Sequence, residues 1–165
     1  MPAQTIRQYF KALTVLHFTL VAGLVIFTVV AYGLHGTGKF TGGDAVLAGI
    51  FQYMVPGMAF IFLVTGSLVF KKQLNTIKNL DSLAAKLNGY RMAFIRRDAF
   101  LEGPALFAVI AYLISGVIIA LGVVALLLVA FVYFRPTKDA VITDLEFGTD
   151  ETTIVNDDDA MIDAG

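Results

Sequence analysis

The sequence predicts an all-α integral membrane protein, built as a four-helix bundle with an amphipathic connector helix and an acidic C-terminal tail. Three features of the chain support this prediction. Its 165 residues are 58% hydrophobic, compared with roughly 45–50% in globular domains. The apolar residues occur in runs long enough to cross a hydrocarbon core of about 30 Å. The charged residues are concentrated in the segments between and after these runs.

Residues 12–34 form the first predicted span, which is interrupted by only a few polar residues. Arg7 and Lys11 precede this run, as positive charges precede a signal peptide. The run is nevertheless longer than the roughly 7–15 residues of a signal-peptide core, and no small-residue cleavage site follows it. We therefore expect a retained membrane helix rather than a cleaved leader.

The second predicted span covers residues 45–70, after a glycine-rich loop at residues 35–44. Residues 73–95 then combine apolar side chains at every third or fourth position with charged residues between them. This pattern is typical of an amphipathic helix. Such a helix would lie on the membrane surface or extend the neighbouring spans, and a connecting helix with a solvated face is the favoured interpretation.

Residues 99–134 are almost uninterrupted apolar sequence, and one helix of this length would measure about 54 Å. We therefore predict two crossings, at residues 96–115 and 117–134, with a tight turn at Ser115-Gly116. The membrane domain would then comprise residues 1–135.

The basic residues favour four spans over three. With four spans, eleven basic residues are cytoplasmic and only Lys39 is outside; with three spans, Arg135 and Lys138 change sides and the division is nine against three. The positive-inside rule therefore predicts four spans with both termini in the cytoplasm.

The tail, residues 136–165, contains nine acidic residues from Asp139 onward and no basic residue in that stretch. This composition is typical of a disordered, solubilising segment. The alternative is a docking segment for a cytoplasmic partner, since apolar residues such as Val141 and Leu145 lie among the acids.

One polar layer is expected within the membrane. Glu102 is the only acidic residue inside the apolar runs at 12–34, 45–70 and 99–134, and depth counted from the span ends puts it level with His17, Ser67 and Thr65. We predict a possible ion or proton site here, with His17 as the ionisable partner, because intramembrane ionisable groups are usually paired or functional. The alternative is structural: Glu102-Gly103-Pro104 also has the composition of a helix start.

The stretch Glu102-Gly-Pro-Ala-Leu-Phe-Ala-Val-Ile-Ala111 resembles the carboxylate-bearing helix of rotary ATPase c (proteolipid) subunits, over about residues 91–113. This resemblance implies that Glu102 carries a proton or a sodium ion. The whole chain also resembles small four-helix inner-membrane proteins of bacteria, which implies the fold and no activity.

Neither a nucleotide-binding glycine motif nor a catalytic or zinc-binding motif is present in the sequence. No cofactor, metal or nucleic-acid partner is therefore predicted. The expected function is that of a non-enzymatic accessory or structural component of a membrane complex, with lipid, other membrane chains or further copies of itself as partners. The alternative is an ion-translocating subunit that uses Glu102, and a membrane enzyme comes third.

Overall fold

The computed structural model of the chain describes residues 4–38 and 45–162, so part of the predicted loop at 35–44, including Lys39, lies outside the described residues. The fold is all-α apart from one antiparallel pair of two-residue strands, in which Gln4 lies opposite Ile162 and Thr5 opposite Met161. The elements of this part of the chain are, in order, β1 (Gln4–Thr5), α1 (Ile6–Gly36), α2 (Ala45–Ile77), α3 (Leu83–Ser115), α4 (Ile118–Tyr133), α5 (Lys138–Leu145), α6 (Thr149–Asn156) and β2 (Met161–Ile162).

Three helices, α1, α2 and α3, are long and apolar enough to cross a membrane, with 31, 33 and 33 residues. They contain the predicted spans 12–34, 45–70 and 96–115. The predicted span 117–134 matches α4 to within one residue at each end. With 16 residues, α4 qualifies only together with α5, to which it is bent by 80°.

The connector helix predicted over residues 73–95 is wrong as a separate element. α2 continues through its first part to Ile77, a turn follows, and α3 begins at Leu83. The side chain of Ser82 accepts a hydrogen bond from the backbone N–H of Ala85 (3.2 Å) and thereby caps the new helix. The apolar periodicity continues across this break, and for that reason the pattern alone did not reveal it.

The turn predicted at Ser115-Gly116 is confirmed. Gly116 has a φ of +68°, and a Cβ atom at this position would lie 2.5 Å from Nε2 of His35. Nδ1 of the same histidine lies 3.2 Å from the carbonyl oxygen of Leu113, in the last turn of α3, where helix carbonyls lack intrahelical partners. Glycine is therefore required here both by the backbone conformation and by the histidine ring.

Two compact units are present in the chain. The first, called here the terminal unit, consists of the residues up to Phe18, Ser67–Arg97 and the residues from Arg135 onward. Aromatic side chains such as Tyr9, Tyr90 and Phe94 dominate its core. The buried members of this core are Ile6, Tyr9, Phe10, Leu13, Phe70, Leu74, Ile77, Leu87, Tyr90, Ala93, Phe94, Val141, Leu145, Val155 and Ile162.

The second unit, called the span unit, consists of Thr19–Gly66 and Asp98–Phe134. Its core is lined by small and branched side chains, with a short alanine series at positions 105, 108 and 111 of α3. Small residues let helix backbones approach closely in membranes. At another close approach, a Cβ atom on Gly66 of α2 would lie 2.7 Å from Cβ of Phe100 in α3.

The disordered tail predicted for residues 136–165 is wrong for its described part, which forms α5, α6 and β2. Thr137 caps α5 by accepting a hydrogen bond from the N–H of Ala140 (3.1 Å). Val141, Leu145 and Val155 are almost completely buried in the core of the terminal unit. The apolar residues among the acids therefore pack within their own chain. The free energy gained by this burial offsets the conformational entropy that the segment loses when it becomes ordered.

Candidate functional site

Glu102 lies in the interior of α3 and is half-buried within the span unit. The helix-start interpretation is wrong, because α3 begins nineteen residues earlier, at Leu83, and Pro104 lies inside the helix. In the described part of the chain, the Glu102 carboxylate makes no ion pair or hydrogen bond with another residue. A half-buried carboxylate in a candidate membrane-spanning helix is costly, and this cost is not explained by a capping role.

Thr65 belongs to the same unit as Glu102 and is exposed on α2. Its neighbour Gly66 is buried against Phe100. The ring of Phe62, one helical turn earlier, packs against the ring of Phe100 in a tilted arrangement, with the ring centroids 5.9 Å apart. The side of α2 that packs against α3 is thus formed by Phe62 and Gly66, and the exposed Thr65 belongs to another side.

His17 lies in the terminal unit and is 1% exposed. Its imidazole ring packs against the rings of Phe18 (centroids 5.8 Å apart) and Phe94 (5.6 Å). Ser67 is in the same unit and half-buried. The predicted polar layer thus divides into His17 and Ser67 in one unit and Glu102 and Thr65 in the other, and the pairing of His17 with Glu102 stays a prediction.

Two buried charged residues in α3 were missed by the sequence reasoning. Arg97 is 8% exposed and Asp98 is completely buried, so Glu102 is not the only acidic residue in the apolar part of the chain. The guanidinium of Arg97 lies 4.1 Å from the ring centroid of Phe70 and 5.2 Å from that of Phe94, within the range of a cation–π interaction.

Helical spacing carried a signal for Arg97. It lies three residues after Phe94 and four before Leu101, both of which are buried, so all three share one helix face. Arg96, the preceding residue, is exposed.

Three cations, Arg7, Lys78 and Lys86, connect residues 138–162, called here the acidic segment, to the rest of the terminal unit, and a fourth, Lys138, is paired within the segment. Nζ of Lys78 lies 2.7 Å from Oε1 of Glu146, and Nζ of Lys86 lies 2.7 Å from Oε1 of Glu151. The remaining pairs, also within the terminal unit, are Lys138–Asp158 (2.6 Å), Arg7–Asp158 (3.5 Å) and Arg7–Asp159 (3.8 Å).

Two of these cations, Lys138 and Arg7, form ion pairs with Asp158, and both affect the pKa of its carboxyl. The hydrogen bond from Lys138 lowers the pKa of the Asp158 carboxyl below its ordinary value, and the charge of Arg7 acts in the same direction. The carboxylate is solvent-exposed, so this effect concerns charge pairing at a surface, where salt screens it.

Two tyrosine hydroxyls add polar contacts inside the terminal unit. The hydroxyl of Tyr9 donates a hydrogen bond to the carbonyl oxygen of Leu87 (2.6 Å). The hydroxyl of Tyr90 donates to Oδ2 of Asp144 (3.1 Å) and so connects α3 to α5. Both rings lie in the core, and their hydroxyls have the partners that buried tyrosines usually find.

A polar cleft of about 550 Å³ lies beside these ion pairs in the terminal unit, between the end of α2 and the end of α5. Its two amines belong to Lys78 and Lys86, each already neutralised by a glutamate of the acidic segment. Within the described residues, no group of three or more histidine, cysteine or acidic side chains is arranged to hold a metal ion. The lining residues of the cleft are Asn75, Lys78, Asn79, Lys86, Leu145 and Glu146.

Neither the known protein families, nor the curated proteins, nor the solved structures contain a match to this chain.

Proposed function

We propose that this chain is a four-span protein of the bacterial cytoplasmic membrane that works as a non-enzymatic accessory component of a membrane complex. Its termini lie in the cytoplasm, where the folded acidic segment meets a partner. The acidic segment in this role consists of α5, α6 and β2.

Strand pairing supports the even number of spans. β1 precedes the first candidate span and β2 follows α4, yet the two strands are hydrogen-bonded to each other. Backbone hydrogen bonds of this kind require both strands to be on the same side of the membrane. An even number of crossings meets this requirement, which supports α4 as a fourth span beside α1, α2 and α3.

The distribution of charge supports the orientation. All eleven basic residues that were expected in the cytoplasm belong to the terminal unit. Positive charge near span ends is retained in the cytoplasm. The terminal unit is accordingly the cytoplasmic part.

The length of α4 is compatible with a crossing. Its 16 residues measure about 24 Å at 1.5 Å per residue. Short spans are accommodated by local thinning of the bilayer and by flanking side chains that reach to the headgroups. Arg135, exposed just beyond the helix, is placed to do so.

Single-cysteine labelling tests this arrangement cleanly, since the natural chain contains no cysteine. We expect Thr37→Cys and Ile118→Cys to react with a membrane-impermeant maleimide added outside intact cells. Ser82→Cys and Thr149→Cys should react only after the membrane is opened. Labelling of Thr149→Cys from outside would contradict the four-span arrangement.

The observation that carries the accessory role is that the acidic segment is a folded module with an exposed acidic and apolar surface. Ile154 and Met161 are 40% and 51% exposed. Asp150 and Asp157 are exposed beside them in the chain. Exposed apolar side chains on a folded segment with exposed carboxylates nearby in the chain are the kind of surface that a protein partner binds.

The mass of the native particle tests this role. Extracted in mild detergent at native expression, the wild-type chain of 17.8 kDa should be found in a particle with unlike chains. The double variant Ile154→Ser/Met161→Ser should leave that particle. Leu80→Ser, which changes another exposed apolar residue of the terminal unit, serves as the control and should remain. A monomeric wild type would contradict the proposal.

Ion translocation by Glu102 is the second candidate function. It is favoured by one observation, the half-buried carboxylate of Glu102 inside a candidate span without an ion pair to another described residue. Ionisable residues inside membrane spans are rare and often mark ion pathways.

A liposome assay separates the two functions. If Glu102 is a carrier, purified protein in liposomes should dissipate a proton or sodium gradient, and Glu102→Gln should abolish this flux. Glu146→Gln, which removes an exposed carboxylate of the terminal unit, should leave it unchanged. Equal behaviour of wild type and Glu102→Gln would exclude the carrier role.

A further inference from the structure

Ten of the eleven cations of the terminal unit fall into two groups that sequence alone does not separate; the eleventh, Arg91, is half-buried and belongs to neither. One group is neutralised by the acidic segment: Arg7, Lys78, Lys86 and Lys138 each form an ion pair with one of its carboxylates. Arg97 is covered by the rings of Phe70 and Phe94. These residues are therefore occupied within the protein.

The second group consists of exposed cations at the ends of the predicted spans. None of them forms an ion pair or hydrogen bond with any residue that the structure describes, although exposed carboxylates are available in the same unit. Each lies within two residues of the apolar sequence of α1, α2, α3 or α4. We call these the span-end cations: Lys11, Lys71, Lys72, Arg96 and Arg135.

We propose that the span-end cations form a binding surface for anionic phospholipid headgroups of the cytoplasmic leaflet, an inference that rests on the four-span arrangement. Lys11, Lys71 and Lys72, and Arg96 belong to α1, α2 and α3 respectively, and Arg135 follows the end of α4, so all four helices have a positive charge in them or directly after them. Phosphate oxygens are the acceptors that such lysine and arginine side chains prefer. Their position beside the apolar sequence places them at headgroup depth.

The acidic segment confines unneutralised positive charge largely to the span-end cations. Its carboxylates neutralise the cations that lie farther from the spans along the chain, namely Lys78, Lys86 and Lys138. Net positive charge is left where the headgroups are. A lipid contact of this kind is worth about fivefold in affinity for each charge near the membrane surface.

The test measures lipid preference with purified full-length protein in nanodiscs. The thermal unfolding midpoint is recorded in discs of phosphatidylcholine alone and in discs that also contain phosphatidylglycerol, at low and at high salt. We expect phosphatidylglycerol to raise the midpoint at low salt and to lose this effect at high salt. The variant with all five span-end cations changed to glutamine should show no preference.

The matched control is Lys78→Gln/Lys86→Gln, which also removes positive charge but only from the ion-paired group. It should keep the full preference for phosphatidylglycerol even if its midpoint is lower in both discs. If the variant with all five substitutions does not fold, Lys71→Gln/Lys72→Gln and Arg96→Gln are measured separately. Each should lose part of the preference for phosphatidylglycerol.

Two outcomes overturn the proposal. One is an unchanged preference in the span-end variants, or an equal loss in the control. The other is displacement of phosphatidylglycerol by inorganic phosphate at matched ionic strength, which would indicate a free-anion site. Thiol labelling of the same variants identifies a failure of the four-span arrangement separately, because it reports the side of the membrane and not the lipid preference.

Discussion

The terminal unit and the span unit differ in the side chains that form their cores and in the polar contacts around them. In the terminal unit, ion pairs and tyrosine hydroxyls surround an aromatic core. In the span unit, small and branched side chains form the core. Large apolar residues such as Ile26, Phe60 and Val129 are more than 60% exposed there.

The difference teaches that burial has a different value in the two units. Water drives the apolar residues of the terminal unit together. Lipid tails are as apolar as leucine, so the span unit gains mainly van der Waals packing and shape complementarity from the same burial. Equal substitutions in the two cores should therefore have unequal effects.

The largest effect is expected for Leu145→Ala in the terminal unit, where the leucine is 2% exposed. Loss of this side chain should reduce local stability by about 2–5 kcal/mol. Leu127→Ala in the span unit, at 1% exposure, should cost clearly less in a bilayer. Hydrogen–deuterium exchange of peptides from each unit measures both values in nanodiscs. Equal losses of stability in the two variants would contradict the difference in the value of burial between the two units.

Gly116→Ala should destabilise the span unit by about 1–3 kcal/mol, because alanine does not favour a φ of +68°. The added methyl would also collide with the ring of His35. His35→Ala in the same chain should relieve the collision but not the backbone strain. As a control, Gly122→Ala meets nothing within 4 Å and should be nearly neutral. Thermal unfolding of the three variants and the wild type checks this, and full rescue by His35→Ala would contradict the backbone argument.

Glu151→Gln should loosen the acidic segment by about 1–2 kcal/mol, since a largely buried lysine loses its charged partner. The side chain of Lys86 is only 16% exposed, and that of Glu151 28%. Asp150→Asn removes a neighbouring exposed charge and should change stability by less than about 0.5 kcal/mol. Pulse proteolysis at Lys138 reports release of the segment; equal rates in the two variants would indicate that the pair is not stabilising.

The smallest effect is expected from Asp158. Its pKa is lowered in the folded chain, first by the hydrogen bond from Lys138, so its contribution is complete above the ordinary value of 3.8 and is lost as the pH falls through the lowered pKa. Asp158→Asn should remove this part of the acid sensitivity of the segment, as measured by proteolysis against pH. An unchanged pH profile would show that other carboxylates determine it.

Much of the helix plan could be predicted from the sequence. Length and hydropathy place the first three spans inside α1, α2 and α3, and the glycine at 116 locates the turn before α4. These features depend on local composition and on the size of a bilayer. The boundary between α2 and α3 was missed because apolar spacing continues through it.

The folded acidic segment could not be predicted from composition. Its order depends on partners more than fifty residues away in the chain, such as Lys78 for Glu146, Lys86 for Glu151 and Tyr90 for Asp144. Single-sequence patterns do not reveal such contacts. For the polar site the sequence identified Glu102 and His17 as notable residues, but it did not reveal the burial of Arg97 and Asp98, because that burial depends on contacts with distant residues such as Phe70.

The pairing of β1 with β2 has a consequence for biosynthesis. Residues 4 and 5 find their strand partner only after residues 161 and 162 have been made, and at about 5–20 residues per second this interval is roughly ten to thirty seconds. The aromatic core of the terminal unit, which contains Ile6 and Tyr9 from the start of the chain and Ile162 from its end, is therefore complete only after translation has passed α6.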